Sequence, residues 1–352
     1  MVSKQELDNS LEYLRSRGLS VDGTAWYVFS KKFLGTDIPR PEEIIAFWNN
    51  NQQADGRWLM EEHSDMFTTH HVLLGYYLLN SQPQKSLDPF MSNYATYQDA
   101  LDYITAHDFR NIYHVVFGWA LWYWKYPSWL NDVFAYIEQD LDWTTGTDYH
   151  KTTHTLYNYV LARRQFPNLD GIINTALALQ QADGSWPPMF NRPFYSTSIM
   201  ITMLAQIAQL YPNHRSIEIQ NALNKAKLWV VSQYHTTVVN GYTLGYFGDV
   251  SRISDSMFSG VTSAGQTGLI DTNVDMTFSD IVQKLQASYI DRYPDTGTRF
   301  VSLACSSDTD CPSGQVCQNG VCATPPPSPP WALILIAFGV AVGLYLYSKQ
   351  RD

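Results

Sequence analysis

From Lys4 to about Leu210 apolar side chains recur every three to four positions, as Leu7, Leu11 and Leu14 do at the start, and that period is the signature of amphipathic helices. The pattern predicts helices near 4–17, 24–34, 40–51, 68–80, 95–106, 111–125, 129–140, 151–165, 169–181, 196–210, 216–233 and 276–291. Pro39, Pro41, Pro127, Pro167 and Pro212 fall between them, where a residue that cannot continue a helix belongs. Taken in order, the helices pair into six hairpins. Residues 236–275 break the pattern: Gly, Ser and Thr accumulate there, which predicts an irregular insert with a short strand pair at 237–246.

A repeat lies over this ladder. Gln52-Gln53-Ala54-Asp55-Gly56-Arg57-Trp58 returns as Gln180-Gln181-Ala182-Asp183-Gly184-Ser185-Trp186, 128 positions later. Three units in that interval would be roughly 43 residues each, the size of a stacked helical hairpin. A degraded copy keeps Gln139 and Trp143, another keeps Trp229 and Gln233, and none is visible near 95. Gly at the fifth position permits a helix-ending backbone, and the Trp can pack back on the helix pair, so the motif reads as architecture. QxxxGxW closing an amphipathic helix resembles the repeat of the squalene cyclase and protein prenyltransferase superfamily. The resemblance covers roughly residues 40–235 and implies an all-α fold, an α/α toroid, over 1–298.

The aromatic content of 14%, with 23 Tyr and 11 Trp, suits a cavity lined by ring faces that takes an isoprenoid, a sugar or a cation. The formal net charge of −10 argues against a nucleic-acid partner, which needs clustered Lys and Arg.

The candidate chemistry comes from a second series in register with the repeat. Asp65 and His71, Asp108 and His114, and Asp148 and His154 each stand six positions apart, and the histidines are spaced by 43 and 40. In a fourth unit the two places fall to Arg192 and Ser198, so the series ends there. Equivalent positions on successive inner helices of a toroid face one central space. Three imidazoles with an open fourth position suit catalytic zinc or another divalent metal, and a carboxylate on the far ring nitrogen would orient each ring. The same set without metal offers a general acid and base. Against both stands a structural reading, in which the Asp residues begin helices and the His residues fill a repeat position.

The chemistry of the resembled families is missing residue by residue. The nearest string to the DxDD acid of squalene-type cyclases is Asp271-Thr272-Asn273-Val274-Asp275, which lacks the paired carboxylates. Prenyltransferases hold zinc with Asp, Cys and His, whereas every Cys in this chain lies beyond residue 304. Other α/α toroids are polysaccharide lyases or hydrolases, and His63, Arg110, Tyr113, Arg192 and Tyr195 suit such roles.

Beyond Thr298 the composition changes. Cys305, Cys311, Cys317 and Cys322 fall among polar residues and read as two disulfides in a small knot spanning 299–323, with zinc as the lesser alternative. Residues 324–330 are a Pro-rich stalk. The uncharged run 331–347 is about 26 Å long as a helix, enough for a single transmembrane span in a lipid bilayer. Gly339 and Gly343 give it a GxxxG step for self-association, and 348–352 form a weakly basic tail. Cysteine knot and basic tail together favour a main domain outside the cytoplasm, whereas Met1 to Asp8 open straight into a helix with no signal peptide in view, which would instead make a tail-anchored protein with its domain inside. Three functions fit: a membrane-anchored toroid acting on a hydrophobic, isoprenoid-like substrate, an extracytoplasmic polysaccharide lyase or hydrolase, or a non-catalytic surface or virion binding module.

Overall fold

The computed structural model describes residues 2–59, 65–107, 112–123, 129, 132, 168–188, 193–248, 253–272, 316–318 and 321–323. The chain divides into two units, Met1–Phe300 and Val301–Asp352. The first is mostly helical. Its first helix, α1 (Lys4–Ser16), starts where the Ser3 hydroxyl accepts from the Glu6 amide, and it buries Leu7, Leu11 and Leu14 on one face. The second, α2 (Val21–Leu34), is capped by Ser20 and closed by Gly35 in the left-handed region at φ 66°. Lys31 of α2, 2% exposed, faces α1, where its ammonium meets Asp8 at 2.6 Å and Glu12 at 2.9 Å.

The next elements are α3 (Pro41–Asn51), α4 (Asp65–Leu78), a short α5 (Asp88–Met91), a 3-10 turn at Ser92–Tyr94, α6 (Tyr97–His107) and α7 (Ile112–Tyr123). They are followed by α8 (Leu169–Leu179), α9 (Pro193–Leu210), α10 (Ser216–Ser232), the hairpin β1 (Tyr234–Val239) and β2 (Tyr242–Phe247), and α11 (Ile253–Gln266). The expected helices at 151–165 and 276–291, and nearly all of that at 129–140, lie outside the described residues.

The two motif copies build the same corner. Gln52 ends α3 and donates to the Gly56 and Lys85 carbonyls at 2.8 and 2.9 Å; Gln180 ends α8 and donates to those of Gly184 and Ala222 at 3.1 and 2.9 Å. The indoles of Trp58 and Trp186 each donate at 2.8 Å to a carbonyl ten residues back, on Trp48 and Ala176. Each Trp amide then donates at 3.1 Å to a threonine eleven residues on, Thr69 in α4 and Thr197 in α9. The motif therefore ties the end of one helix to the start of the following helix and to a more distant segment, at Lys85 in one copy and Ala222 in the other.

The insert expected at 236–275 is more regular than its composition. Its strand pair runs 234–239 with 242–247, in register from Tyr234 opposite Phe247 to Val239 opposite Tyr242. Residues 253–266 are helix, not irregular chain. Small residues that read as loop are required for packing: a Cβ on Gly260 would lie 2.2 Å from the Phe247 ring and one on Gly265 2.5 Å from that of Phe33.

Neighbouring elements pack in series. α4 packs between α7 and α2, and α11 between α2 and α9. Trp26 meets Phe258 and Phe33 meets Gly265, while Ser198 bonds to Ser259 and Thr202 to Gln266. These contacts advance together along both partners, so α2, α11 and α9 run in the same direction. α3 runs back, since the Trp48 indole near its end donates to the Val21 carbonyl at the start of α2. Late and early elements also join: Ser10 donates to Gly245 O at 2.7 Å, Asn9 to Thr243 O at 2.9 Å, and Tyr234 to Glu6.

In the second unit the described residues form the antiparallel strands β3 (Val316–Gln318) and β4 (Val321–Ala323), with Cys317 opposite Cys322. Cys305 and Cys311, the stalk, the apolar run 331–347 and the Gly339–Gly343 step lie outside the described residues. Among the described residues no helix is long and apolar enough to cross a membrane.

Candidate functional site

Both α4 and α7 are buried around most of their circumference, so polar side chains on them are held among apolar ones. In α4, Met66 and the run Thr68 to Leu74 are buried; in α7, His114 to Phe117 and Leu121 and Trp122 are. Gly118, one turn beyond His114, lets the two helices approach: a Cβ there would lie 2.9 Å from Met66 Sδ. The close approach brings His70 and His71 of α4 against His114 of α7.

His70 and His114 are 0% exposed and His71 is 4% exposed. One nitrogen from each can be chosen so that all lie within 4.8 Å of one another, and the three rings together are able to hold a metal ion. Nδ1 of His71 donates to Asp22 Oδ1 at 2.6 Å. Nδ1 of His70 faces the Met66 carbonyl at 3.2 Å, and Nε2 of the same ring lies 3.3 Å from Nδ1 of His114. Burial, with the neighbouring His71 adding to it, holds the His70 pKa well below the usual 6.5, so this ring is neutral near neutral pH. Phe67 sets its ring edge-to-face against His71 at 4.5 Å and His114 at 4.8 Å, and Trp26 of α2 lies 4.7 Å from His71. Phe67, Trp26 and Phe258 are only partly buried.

No protein-family model, no curated protein and no solved structure matches the chain.

The sequence series singles out His71, His114 and His154 at one place in three successive repeats. His71 and His114 do meet, but the third ring beside them is His70, adjacent to His71 on the same helix. His154 lies outside the described residues, as do Asp108, Asp148, His63, Arg110 and Arg192. Asp65 is the first residue of α4, yet the carboxylate on the far nitrogen of His71 is Asp22, from the first turn of α2. Tyr113 stands in α7, and Tyr195 in α9 is half-buried. The repeat also shifts by one: since Thr69 and Thr197 play the same part, Ser198 occupies the place of His70, not His71. His70 was legible as half of a His-His pair, but comparison between repeats favours 71. Asp22 has no counterpart in the repeat, and nothing in the sequence marks it.

Proposed function

We propose that residues 1–298 form an α/α toroid similar to the terpenoid cyclases and protein prenyltransferases, and that its centre binds a hydrophobic, isoprenoid-like molecule. The toroid reading is supported by same-direction helices α2, α11 and α9, by the outer helix α3 running back, and by the joining of α1 to β2. The observation that carries the binding reading is the position of Trp26, Phe67 and Phe258. Trp26 and Phe67, partly buried, adjoin imidazoles that are shut away from water, and Phe258 lies beside Trp26, which offers an apolar ligand a surface next to a polar group. The DxDD acid and the Asp/Cys/His zinc set are both missing from the sequence, so the activities of those families are not carried over. The proposal extends to the C-terminal part: two disulfides among Cys305, Cys311, Cys317 and Cys322, and a bilayer anchor at 331–347.

Titrating the tryptophan fluorescence of the full chain with farnesol, and separately with a linear oligosaccharide, tests the binding reading. Saturable quenching by farnesol that weakens at least tenfold in Trp26→Leu is the expected result. Binding of the oligosaccharide alone would favour the lyase or hydrolase reading, and silence toward both would leave a surface module.

A further inference from the structure

We infer that His70, His71 and His114 form a mononuclear site for a borderline divalent cation, zinc or cobalt by class, with Asp22 as the residue that positions His71. The site is independent of the isoprenoid reading, and neither its ligands nor its carboxylate is the set that the repeat series suggested.

The atoms fix which nitrogens face the ion. His71 spends Nδ1–H on Asp22 at 2.6 Å, which leaves the Nε2 lone pair for a metal. His70 likewise turns Nδ1–H to the Met66 carbonyl and keeps Nε2 as an acceptor. In the metal-free state the 3.3 Å contact between His70 Nε2 and His114 Nδ1 then requires the proton on His114 Nδ1. Metal binding moves that proton to Nε2 of the same ring, freeing the Nδ1 lone pair, so the ring stays neutral and no proton is lost. Two neighbouring nitrogens on a tetrahedral zinc, each at about 2.0–2.1 Å, stand ~3.4 Å apart. The His70–His114 pair is already at that spacing, and one nitrogen from each of the three rings lies within 4.8 Å of the others, so the third ring has to close in to complete a tetrahedral set.

Chemistry and burial select the cation. Three neutral imidazoles with no oxygen donor among them suit zinc, cobalt, nickel or copper and do not suit magnesium or calcium. The buried Asp22 carboxylate supplies negative charge next to the ion and fixes the His71 tautomer, the arrangement common to zinc-bound histidines. Three protein ligands leave a fourth position for water or a ligand.

The test uses the full chain stripped with a chelator, then titrated with zinc by calorimetry and with cobalt by visible absorption. About one equivalent is expected, with a four-coordinate cobalt spectrum that lacks sulfur charge-transfer bands. His70→Gln and His114→Gln should abolish uptake while far-UV circular dichroism shows the helices intact. Asp22→Asn should keep the stoichiometry and weaken affinity 10- to 100-fold, a change that a purely structural carboxylate would not produce. If the wild-type chain takes up no stoichiometric metal, the site does not exist. Metal that survives both glutamine variants, or shows sulfur bands from the C-terminal cysteines, overturns it as well. A null result with farnesol leaves it untouched.

Discussion

At Gly56 and Gly184 the backbone sits at φ 95° and 94°, and a Cβ would meet the Ser86 carbonyl oxygen at 2.1 Å and that of Lys225 at 2.3 Å. Both the left-handed backbone and a rigid neighbour exclude a side chain. Gly56→Ala or Gly184→Ala should each cost at least ~2 kcal/mol, measured by urea denaturation. At Lys31 the balance is electrostatic. Its two carboxylate partners retain solvent, at 18% and 36% exposure, while the ammonium has almost none. Removing both acids with Asp8→Asn and Glu12→Gln strands a buried charge and should cost about 3–5 kcal/mol, more than Lys31→Met, which returns two acids to water. Equal losses in the two denaturation series would contradict that assignment.

The same logic governs the joints between elements. Gln52 satisfies the carbonyls of Gly56 and Lys85 and accepts from the Lys85 amide, and Gln180 bridges Gly184 to Ala222 in the same way. An alanine at either position leaves buried or partly buried backbone groups without partners, and a loss of about 1–3 kcal/mol is expected from thermal or urea melts. A surface amide would lose less than half a kilocalorie. The periodicity made most of the helices legible because an amphipathic stripe is written locally. α11 was not legible, since Gly260 and Gly265 look like loop residues until the rings of Phe247 and Phe33 are seen filling the space above them. The metal-ligand set was half legible for a related reason: repeat alignment finds residues at matching places in different repeats, such as 71 and 114. It misses neighbours on one helix that flank the same seam, such as His70, and partners from another hairpin, such as Asp22.

At the scale of the helical unit, the bonds of α1 to β2 bring sequence positions more than 230 apart into contact. A closed ring and an open stack differ in what a weakened seam does. In a ring, Ser10→Ala should lower the single unfolding midpoint of the whole helical unit, with tryptophan fluorescence and far-UV circular dichroism still coincident. In an open stack the ends would fray first and the two probes would separate. The sequence alone determined the helical class, the recurrence of the hairpin and the corner built on Gln, Gly and Trp, because each depends on residues close together in the chain. Only the tertiary structure decided that His70 joins His71 and His114, that Asp22 holds one of those rings, and that a glycine-rich stretch is a helix. Those outcomes depend on which helix packs against which, and at what distance, and no local pattern of apolar and polar residues carries that information.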